Sequence, residues 1–209
     1  MHTNRGRFIV FEGIDGSGKS TQISLLKKHI DQHAIPCVET REPSDGPIGT
    51  LLRQFLSGRI TGDESTIAAL FAADRLDHLN NPVNGVCQKL EDGITILSDR
   101  YLLSNYAYQS VRVSLDWIMK INSLAAGTLR PDCHIFIDVD PDIALERMSK
   151  GRYQLDLFET KERLTEIRNR YFELFKQLEN EENIIIIDGN LPIEEISENI
   201  WSKVCHYFV

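Results

Sequence analysis

The stretch "RFIVFEGIDGSGKST" (residues 7–21) joins an apolar run to a helix-like segment through a turn that contains three glycines. The apolar run "RFIVFE" (7–12) has the Ile, Val and Phe content of a buried strand, and "TQISLLKKHIDQH" (21–33) has the spacing of an amphipathic helix. Glycine allows backbone conformations that other residues avoid, so the turn can be tight. The sequence therefore predicts a strand, a loop and a helix in direct succession.

The turn matches the phosphate-binding loop G-x-x-x-x-G-K-[ST], in the strand–loop–helix setting that this motif requires. Backbone N–H groups of such a loop, together with the N-terminus of the following helix, bind phosphate oxygens. Lys19 is then expected to reach the β- and γ-phosphates of a nucleotide, and the Ser20 hydroxyl to ligate Mg²⁺. The predicted nucleotide-binding residues are Gly13, Ile14, Asp15, Gly16, Ser17, Gly18, Lys19, Ser20 and Thr21.

Apolar segments rich in Ile, Val and Phe recur along the chain with little alternation, as expected for strands buried on both faces. The predicted strands are 7–12, 93–99, 133–139 and 183–189, with 35–42 as a weaker fifth. Helical patterns lie between them at 21–33, 65–91, 141–150 and 159–182, the last with apolar positions at Leu164, Ile167, Tyr171, Leu174, Phe175 and Leu178. This alternation indicates an α/β fold of the three-layer P-loop NTPase type, with a five-stranded parallel sheet flanked by helices, in a single domain over residues 1–209.

Three predicted strands end in an acidic residue: Glu12, Asp99 and Asp138. Ligands of open parallel sheets bind at the carboxyl ends of the strands, so these carboxylates are expected beside the bound nucleotide. The segment 149–160, "SKGRYQLDLFET", mixes glycine with basic and acidic residues between two predicted helices. It is either an ordinary loop or a lid that closes over the site.

Composition excludes several classes of protein. The 209 residues are 42% hydrophobic and 26% charged, and no apolar run approaches the ~20 residues of a membrane-spanning helix. The apolar stretch near the N-terminus is too short for a secretory signal, so we expect a soluble cytoplasmic protein without a membrane partner. A net charge of −8 argues against nucleic acid as the main partner. Cys37, Cys87, Cys133 and Cys205 form no C-x-x-C pair, which predicts reduced, mostly buried thiols.

Phosphate-binding loops occur in switches, motors and kinases alike. The chain has no N-K-x-D stretch of the kind that reads guanine in regulatory GTPases, and its acidic balance disfavours a nucleic-acid translocase. A small-molecule kinase needs a second anion site near the γ-phosphate, and "LSDRYLLSNYAYQ" (97–109) and "LFAADR" (70–75) supply arginines for one. Taken alone, Arg75 beside its acidic neighbours also fits a solvated surface pair, and Phe71 also fits a core position.

Several ordered motifs together cover most of the chain: "FEGIDGSGKST", "TREPSDGPIG", "LFAADR", "SDRYLLSNYAYQ", "RPDCHIFIDVDPDIALER" and the late lid. With these motifs the chain resembles the thymidylate kinase family of P-loop nucleoside monophosphate kinases. The resemblance implies transfer of the γ-phosphoryl group of Mg·ATP to dTMP, which yields ADP and dTDP. It also implies a homodimer packed through helices and ATP at the phosphate-binding loop. Beside Ser20, Asp99 is assigned to the Mg²⁺ shell, through water, and not to proton abstraction.

The resemblance further implies a site for the thymine base and the sugar. Phe71 would stack on the thymine, and Arg75 would donate a hydrogen bond to its carbonyl oxygen. Asn105 and Gln109 would read the edge of the base. Tyr108 would occupy the space that a 2′-hydroxyl needs and would thereby favour deoxyribose.

The acceptor phosphate is implied to lie between the base site and the phosphate-binding loop. Arg100 would contact this phosphate, with Arg53 as a second contact, and Asp15 would approach the 3′-hydroxyl and the metal shell. Arg41 and Glu42 would border the same site. The full implied set of substrate-binding residues is Arg53, Phe71, Arg75, Arg100, Asn105, Tyr108, Gln109 and Glu42.

This chain departs from the family pattern at Ser44-Asp45-Gly46, where many bacterial relatives have Gly-Gly-Thr, and its lid is sparse in arginine. Some relatives carry an arginine inside the phosphate-binding loop, whereas the variable loop positions here are not basic. We therefore expect a lid cation in the transition state and favour Arg152, because a guanidinium can bridge two phosphate oxygens. In the alternative, Lys150 and Arg152 are solvated loop residues and Arg147 takes this role.

The predicted catalytic residues are Lys19, Arg100, Arg152 and Asp15. A phosphate monoester has a second pKa of about 6, so the acceptor is already an anionic nucleophile and needs no general base. Two other functions stay open: a kinase for another nucleoside monophosphate such as AMP or GMP, and a non-catalytic ATP-binding module. The combination of "LFAADR" with "SNYAYQ" favours dTMP over the first of these.

Overall fold

The computed structural model of the chain describes residues 5–151 and 160–208. The strands within them are β1 (Phe8–Glu12), β2 (Cys37–Arg41), β3 (Thr95–Asp99), β4 (Cys133–Asp138) and β5 (Ile184–Asp188). They form one sheet in the order β2-β3-β1-β4-β5, and all of the neighbouring pairs are parallel. The predicted five-stranded parallel sheet flanked by helices is therefore confirmed.

Helices connect the strands and cover both faces of the sheet. They are α1 (Lys19–Gln32), α2 (Pro47–Leu56), α3 (Glu64–Asn80), α4 (Val86–Glu91), α5 (Leu102–Gln109), α6 (Leu115–Ile121), α7 (Ser123–Thr128), α8 (Pro141–Gly151), α9 (Lys161–Leu178) and α10 (Ile193–Val204), followed by a 3₁₀ turn, Cys205–Tyr207. None of the helices in the described ranges is both long and apolar enough to span a membrane.

Alternation along β1 divides the core into two layers. Phe8 and Val10 join a cluster with residues of α3 to α9 on one face, while Ile9 and Phe11 join a cluster with α1 and α10 on the other. All five residues of β1 are buried, as expected for a central parallel strand. The six apolar positions predicted to anchor α9 to the core are all buried.

The two edge strands differ in how well their sequences describe them. In β2 only Cys37 is buried, and the other four positions are half-buried or exposed, which explains why its apolar signal is weak. β5 was expected to be buried on both faces, and this expectation is wrong, because Ile186 is half exposed on the other edge of the sheet. An all-Ile run indicates a strand, but it does not show whether that strand lies in the middle of the sheet or at its edge.

The single helical pattern at 65–91 forms two helices, α3 and α4. Pro82 follows Asn81, the C-cap residue of α3, whose extended ψ of 126° is the conformation that a residue before proline favours. The patterns did not assign α2, α5, α6, α7 or α10. All four cysteines are free; Cys37 and Cys133 are buried, and burial raises the pKa of both thiols to about 12.

Candidate active site

The phosphate-binding loop follows β1 at the carboxyl edge of the sheet and runs directly into α1. Gly16 and Gly18 have φ angles of 78° and 94°, in the region that favours glycine. A Cβ atom on Gly16 would lie 2.4 Å from the Ala144 carbonyl oxygen, so the loop also needs glycine for its close packing on α8. No side chain of the described residues caps the N-terminus of α1, which leaves its N–H groups available for an anion.

Lys19, the first residue of α1, is folded back over this loop. Its Nζ donates hydrogen bonds to the carbonyl oxygens of Gly13 (3.2 Å) and Ile14 (3.0 Å). Burial, together with the nearby charge of Arg100, lowers the pKa of the Lys19 ammonium. A phosphate group in the loop would supply the counter-charge that these carbonyl oxygens only partly provide.

Ser20 and Asp99 meet across the sheet edge, with 2.9 Å between Ser20 Oγ and Asp99 Oδ2. The other carboxylate oxygen, Asp99 Oδ1, is buried and has no hydrogen-bond partner within residues 5–151 and 160–208. Over the same ranges, no group of three or more His, Cys, Asp or Glu side chains is arranged to hold a metal. One hydroxyl and one carboxylate beside a phosphate site suit Mg²⁺, which keeps waters and takes phosphate oxygens as ligands. The residues therefore fit the metal.

Two cavities open at this edge of the sheet. The loop cavity, of about 590 Å³, is lined by the phosphate-binding loop, Asp99, and Ile193 and Ile196 of α10. The aromatic cavity, of about 300 Å³, is lined by most of the residues expected to bind a base and a sugar: Phe71, Arg75, Asn105, Tyr108 and Gln109. Asp15, Glu42 and Arg100 line both, so the two cavities meet at these side chains.

Arg100 is the centre of the junction. Its φ of 75° is unusual for a residue other than glycine. Nη1 donates to Gly13 O (3.2 Å) and Ser104 Oγ (3.0 Å), while Nη2 donates to Asp15 Oδ1 (2.6 Å) and the Tyr108 hydroxyl (2.9 Å). The guanidinium also lies 4.5 Å from the centroid of the Tyr108 ring. These contacts hold a cation at the place where the two cavities join.

Asp15 is the anionic partner in this junction. Burial by itself would raise the pKa of its carboxyl group, but Arg100, Lys19 and a hydrogen bond from Tyr108 outweigh burial and lower it. The Tyr108 hydroxyl donates to Asp15 Oδ2 at 3.0 Å, and burial raises the pKa of this phenol. At neutral pH, Asp15 is therefore a carboxylate and Tyr108 a neutral donor.

Arg75 is buried, with 1% of its side chain exposed, so the reading of this residue as a solvated surface pair is wrong. Nε and Nη2 donate to Glu42 Oε2 at 2.9 and 2.6 Å. Nη1 donates to Asn105 Oδ1 (3.2 Å) and to Asn122 Oδ1, and Nη2 lies 3.5 Å from Tyr101 O. All five N–H donors of the guanidinium thus face protein oxygens in this structure.

Asn122 was not indicated by any sequence pattern, yet it orients the wall of the aromatic cavity. Its Nδ2 donates to Asn105 Oδ1 at 2.8 Å and to Ile118 O at 2.8 Å. Because Arg75 and Asn122 both donate to Asn105 Oδ1, the Asn105 amide presents its Nδ2 on the opposite side. That atom is buried without a hydrogen-bond partner in the described part of the chain, so it is an unsatisfied donor in the wall of the aromatic cavity.

Phe71 is half buried on the wall of the aromatic cavity and belongs to neither apolar cluster of the described residues, which excludes a core role. Apolar side chains that the sequence analysis did not assign to a binding site complete this wall: Phe55, Leu56, Ile67, Leu164 and Ile167. They come from α2, α3 and α9, which are distant in sequence. Such a flat apolar wall with a few polar groups suits a heterocyclic base.

The loop between β2 and α2 has a definite conformation despite its unusual sequence. Ser44 N and Ser44 Oγ donate to the two carboxylate oxygens of the buried Asp74, at 2.7 and 2.6 Å. Arg53 donates to Ser44 O at 2.6 Å and to Pro43 O at 3.1 Å, and it is absent from the described linings of both cavities. Arg53 thus supports the loop between β2 and α2, and its contact with a phosphate stays a prediction.

The segment predicted as a lid lies partly outside the described residues. Ser149, Lys150 and Gly151 are the last residues of α8, and Lys150 pairs with Glu146 at 2.6 Å. Arg152 lies outside the described residues. Arg147, one turn before the end of α8, lines the loop cavity. Of the three basic residues considered for the lid, Arg147 is thus placed beside the phosphate-binding loop.

The acidic residues at the strand ends have three different environments. Asp99 faces Ser20, as expected. Glu12 is fully buried and, among the described residues, is not part of the lining of either cavity. Asp138 forms an ion pair with Arg168 of α9 through two hydrogen bonds, of 2.6 and 2.8 Å. The expectation that all three lie beside the nucleotide is therefore wrong for Glu12 and Asp138.

Comparison with known proteins assigns the chain to a family. The sequence model described as "Thymidylate kinase" matches residues 11–200. A probable thymidylate kinase of Methanocaldococcus jannaschii is 40% identical over 92% of this chain and 93% of its own length. The thymidylate kinase of Symbiobacterium thermophilum is 34% identical over 92% and 90%, and the probable thymidylate kinase of Pyrococcus abyssi is 36% identical over 97% of each chain. The chain belongs to the thymidylate kinase family.

Proposed function

We propose that this chain transfers the γ-phosphoryl group of ATP to dTMP, giving ADP and dTDP. The observation that carries the proposal is the junction at Asp15 and Arg100, where a phosphate-binding cavity meets a cavity suited to a base. An oxygen of the acceptor phosphate would form the new bond to the γ-phosphorus while the bond to the ADP oxygen breaks. The names of the relatives support dTMP as the acceptor.

On the donor side, residues 13–21 would bind the phosphates of ATP. The N–H groups of the loop and of the first turn of α1 would donate to phosphate oxygens, and Lys19 would exchange its carbonyl partners for the β- and γ-phosphates. Mg²⁺ would be held by Ser20 and Asp99, where it would neutralise charge on the phosphate oxygens. Ile193 and Ile196 offer an apolar surface for the purine.

On the acceptor side, Phe71 would stack on the thymine, and Gln109 and the free Nδ2 donor of Asn105 would contact the base edge. A direct bond from Arg75 to a thymine carbonyl stays a prediction, because it would need one of the five existing contacts to open. Glu42 would hold Arg75 in place. Tyr108 would stand against the sugar, and the contact of Arg53 with the phosphate also stays a prediction.

The reaction needs positioning more than proton transfer. With the acceptor already ionised near pH 7, Arg100 would bind its phosphate while Lys19 stabilises the transferring group. Asp15 would orient Arg100 and receive a hydrogen bond from the 3′-hydroxyl. No side chain is then required as a general base.

The transition-state cation is proposed to come from the lid, residues 149–160. Arg152 remains the favoured residue for its planar guanidinium, and Arg147 is the alternative supported by its place in the lining of the loop cavity. Turnover of Arg152→Ala and Arg147→Ala variants, measured side by side, separates the two. A fast Arg152 variant beside an inactive Arg147 variant would overturn the first assignment.

We further propose one kinase domain over residues 1–209 that acts in the cytoplasm as a homodimer. Leu51 of α2 and Leu124 of α7 are large apolar side chains left exposed, and burial of such surface drives association. Sedimentation velocity tests the dimer. A single species with the mass of one chain at micromolar concentration would contradict it.

One assay tests the proposed reaction against its two alternatives. ADP formation is coupled to NADH oxidation with ATP and a panel of dTMP, AMP, GMP, UMP and dCMP. We expect kcat/KM for dTMP to exceed kcat/KM for the purine monophosphates by at least about 100-fold, because polar groups of the base pocket would stay unpaired when a purine is bound. A preference for AMP or GMP would favour another monophosphate kinase, and no ADP with any acceptor would favour a non-catalytic module.

A further inference from the structure

Glu12 is a buried carboxylate at the end of β1 that the proposed reaction does not use. It immediately precedes the phosphate-binding loop, and its exposed fraction is 0%. Its partners are neutral donors: Ser104 Oγ, the Tyr171 hydroxyl (2.9 Å) and the backbone N–H of Tyr101 (3.1 Å). In the described part of the chain, no Lys or Arg side chain bonds to it. A buried charge is costly to keep, so this arrangement calls for a reason.

The hydrogen positions around Glu12 are limited by the donors present. Ser104 Oγ lies 2.8 Å from the Tyr171 hydroxyl, and both hydroxyls contact Glu12 Oε2, so the single hydrogen of Ser104 points at Glu12 or at Tyr171 and in either case away from the Arg100 donor. The lone pairs of Ser104 Oγ are then free to accept from Arg100 Nη1, which lies 3.0 Å away. Glu12, as the shared acceptor of the two hydroxyls, thus keeps their hydrogens on its side and presents the Ser104 oxygen to Arg100.

A neutral side chain of the same shape cannot reproduce this pattern. Both carboxylate oxygens of Glu12 face donors, the Tyr101 N–H on one side and the two hydroxyls on the other. A glutamine would place its NH₂ group toward one of them. Because hydroxyls can rotate and a backbone N–H cannot, the NH₂ group would face Ser104 and Tyr171, and the two hydroxyls would lose the shared acceptor that holds Ser104 Oγ in place for Arg100.

We propose that Glu12 is a positioning residue for the acceptor phosphate: through the Ser104 hydroxyl it holds Arg100 in the orientation that binds this phosphate. The inference rests on the proposed contact between Arg100 and the phosphate of dTMP. It also explains why Ser104 lines the aromatic cavity, with its oxygen used for Arg100 instead of for the base.

A purely electrostatic role for Glu12 predicts the opposite result. Removing a negative charge beside Lys19 and Arg100 would make the junction more positive and would bind a phosphate more tightly. Loss of positioning would bind it more weakly. The sign of the change in Glu12→Gln therefore separates the two roles.

The test compares dTMP with thymidine, which lacks the phosphate, by calorimetric titration of the full chain. We expect Glu12→Gln to weaken dTMP about tenfold, with thymidine within about twofold, because a charge-assisted contact to the phosphate is misaligned while the base site is intact. Ser104→Ala should cause the same selective loss. In the Ser104→Ala background, Glu12→Gln should add little, since the two residues act in series.

Tyr171→Phe is the matched control. It removes one donor to Glu12 and one contact of Ser104 Oγ (2.8 Å) but keeps the direct bonds from Ser104 to Glu12 and from Arg100 to Ser104. It should therefore lower the melting temperature while the ratio of dTMP to thymidine affinity stays unchanged. An equal loss of both ligands in Glu12→Gln, tighter dTMP binding, or full additivity with Ser104→Ala would each overturn the inference. If Glu12→Gln does not fold, Ser104→Ala decides alone: an unchanged ratio would refute the path.

Arg100→Met separates this inference from the proposed function. If the wild-type chain does not prefer dTMP to thymidine, or if Arg100→Met leaves the preference intact, the proposed phosphate contact fails and the inference fails with it. If Arg100→Met abolishes the preference and Glu12→Gln leaves it unchanged, the inference alone is refuted.

Discussion

The loop cavity and the aromatic cavity meet at shared residues, yet they are built in different ways. In the loop cavity, Lys19 bonds to carbonyl groups only six and five positions away in sequence. In the aromatic cavity, Arg75 bonds to Glu42 and Asn122, which are 33 and 47 positions away. One site is a local turn, and the other is assembled from several helices.

This difference predicts different consequences of mutation. In the local turn, Lys19 bonds to neutral carbonyl oxygens, and its anionic partner would come from the ligand. Loss of this cation should therefore affect turnover and leave the fold intact. The polar groups of an assembled pocket already have protein partners, so their loss should lower both selectivity and stability. Kinetics and thermal unfolding measured on the same variants can therefore separate the two sites.

The largest effect is expected for Lys19→Met. Turnover should fall by at least about two orders of magnitude, because a charge on the transferring group is lost. Burial lowers the pKa of Lys19, which means that the folded chain keeps this charge at a cost, so the melting temperature without nucleotide should stay level or rise. Steady-state ADP formation and thermal unfolding check both parts. Turnover like that of the wild type would refute the donor role.

Arg75→Ala should affect both properties. We expect kcat/KM for dTMP to fall about 10–100-fold with little change in the KM for ATP, since a wall of the aromatic cavity is lost. Glu42 would lose both guanidinium bonds and keep the 3.4 Å contact of its Oε1 with His78 Nδ1, which costs up to about 3–5 kcal/mol of the free energy of unfolding. Urea unfolding measures this cost.

A matched control for Arg75→Ala is Arg170→Ala, which removes a partly exposed ion pair with Glu173 on α9. Exposed pairs contribute little, so its unfolding curve should overlay that of the wild type. If Arg75→Ala lost stability alone, with normal kinetics, the residue would be structural and the comparison between the two cavities would fail.

The same contrast explains what could be predicted from the sequence. The phosphate-binding loop and the central strands follow from contiguous residues and an apolar run, so their positions were predicted to within a few residues. The helices α6 and α7 have seven and six residues, too few for a helical period to stand out. Residues such as Asn122 become important only through partners that the fold brings near, and no local pattern reveals them.

The strand-end acids show the limit in another way. Glu12, Asp99 and Asp138 occupy equivalent positions in sequence, at the ends of β1, β3 and β4. Their environments differ because different helices pack against each strand end: α1 brings Ser20 to Asp99, α5 and α9 enclose Glu12, and α9 brings Arg168 to Asp138. Strand order and helix placement decide these roles, and no single segment of the sequence specifies either of them.

The smallest effect, and the sharpest test of the junction, is expected for Tyr108. The ring would exclude a 2′-hydroxyl, whereas the phenol hydroxyl joins Asp15 to Arg100. Tyr108→Phe keeps the ring, so discrimination between dTMP and its ribonucleotide should persist, with kcat/KM for dTMP lowered only about threefold to tenfold by the lost hydrogen bond.

The hydrogen bond from Tyr108 is one of the interactions that lower the pKa of Asp15. Its removal should therefore move this pKa upward, toward the unperturbed value near 4. The stabilising contribution of ionised Asp15 is fully present above its unfolded pKa and is lost as pH falls through its folded pKa. The unfolded pKa is the same in both chains, so Tyr108→Phe should lose less stability in acid than the wild type, and its loss should level off at a higher pH. Melting temperatures between pH 3 and 7 measure this shift.

Tyr108→Ala should in addition relax the discrimination against ribose. Undiminished rejection of the ribonucleotide by Tyr108→Ala would show that another part of the junction excludes the 2′-hydroxyl.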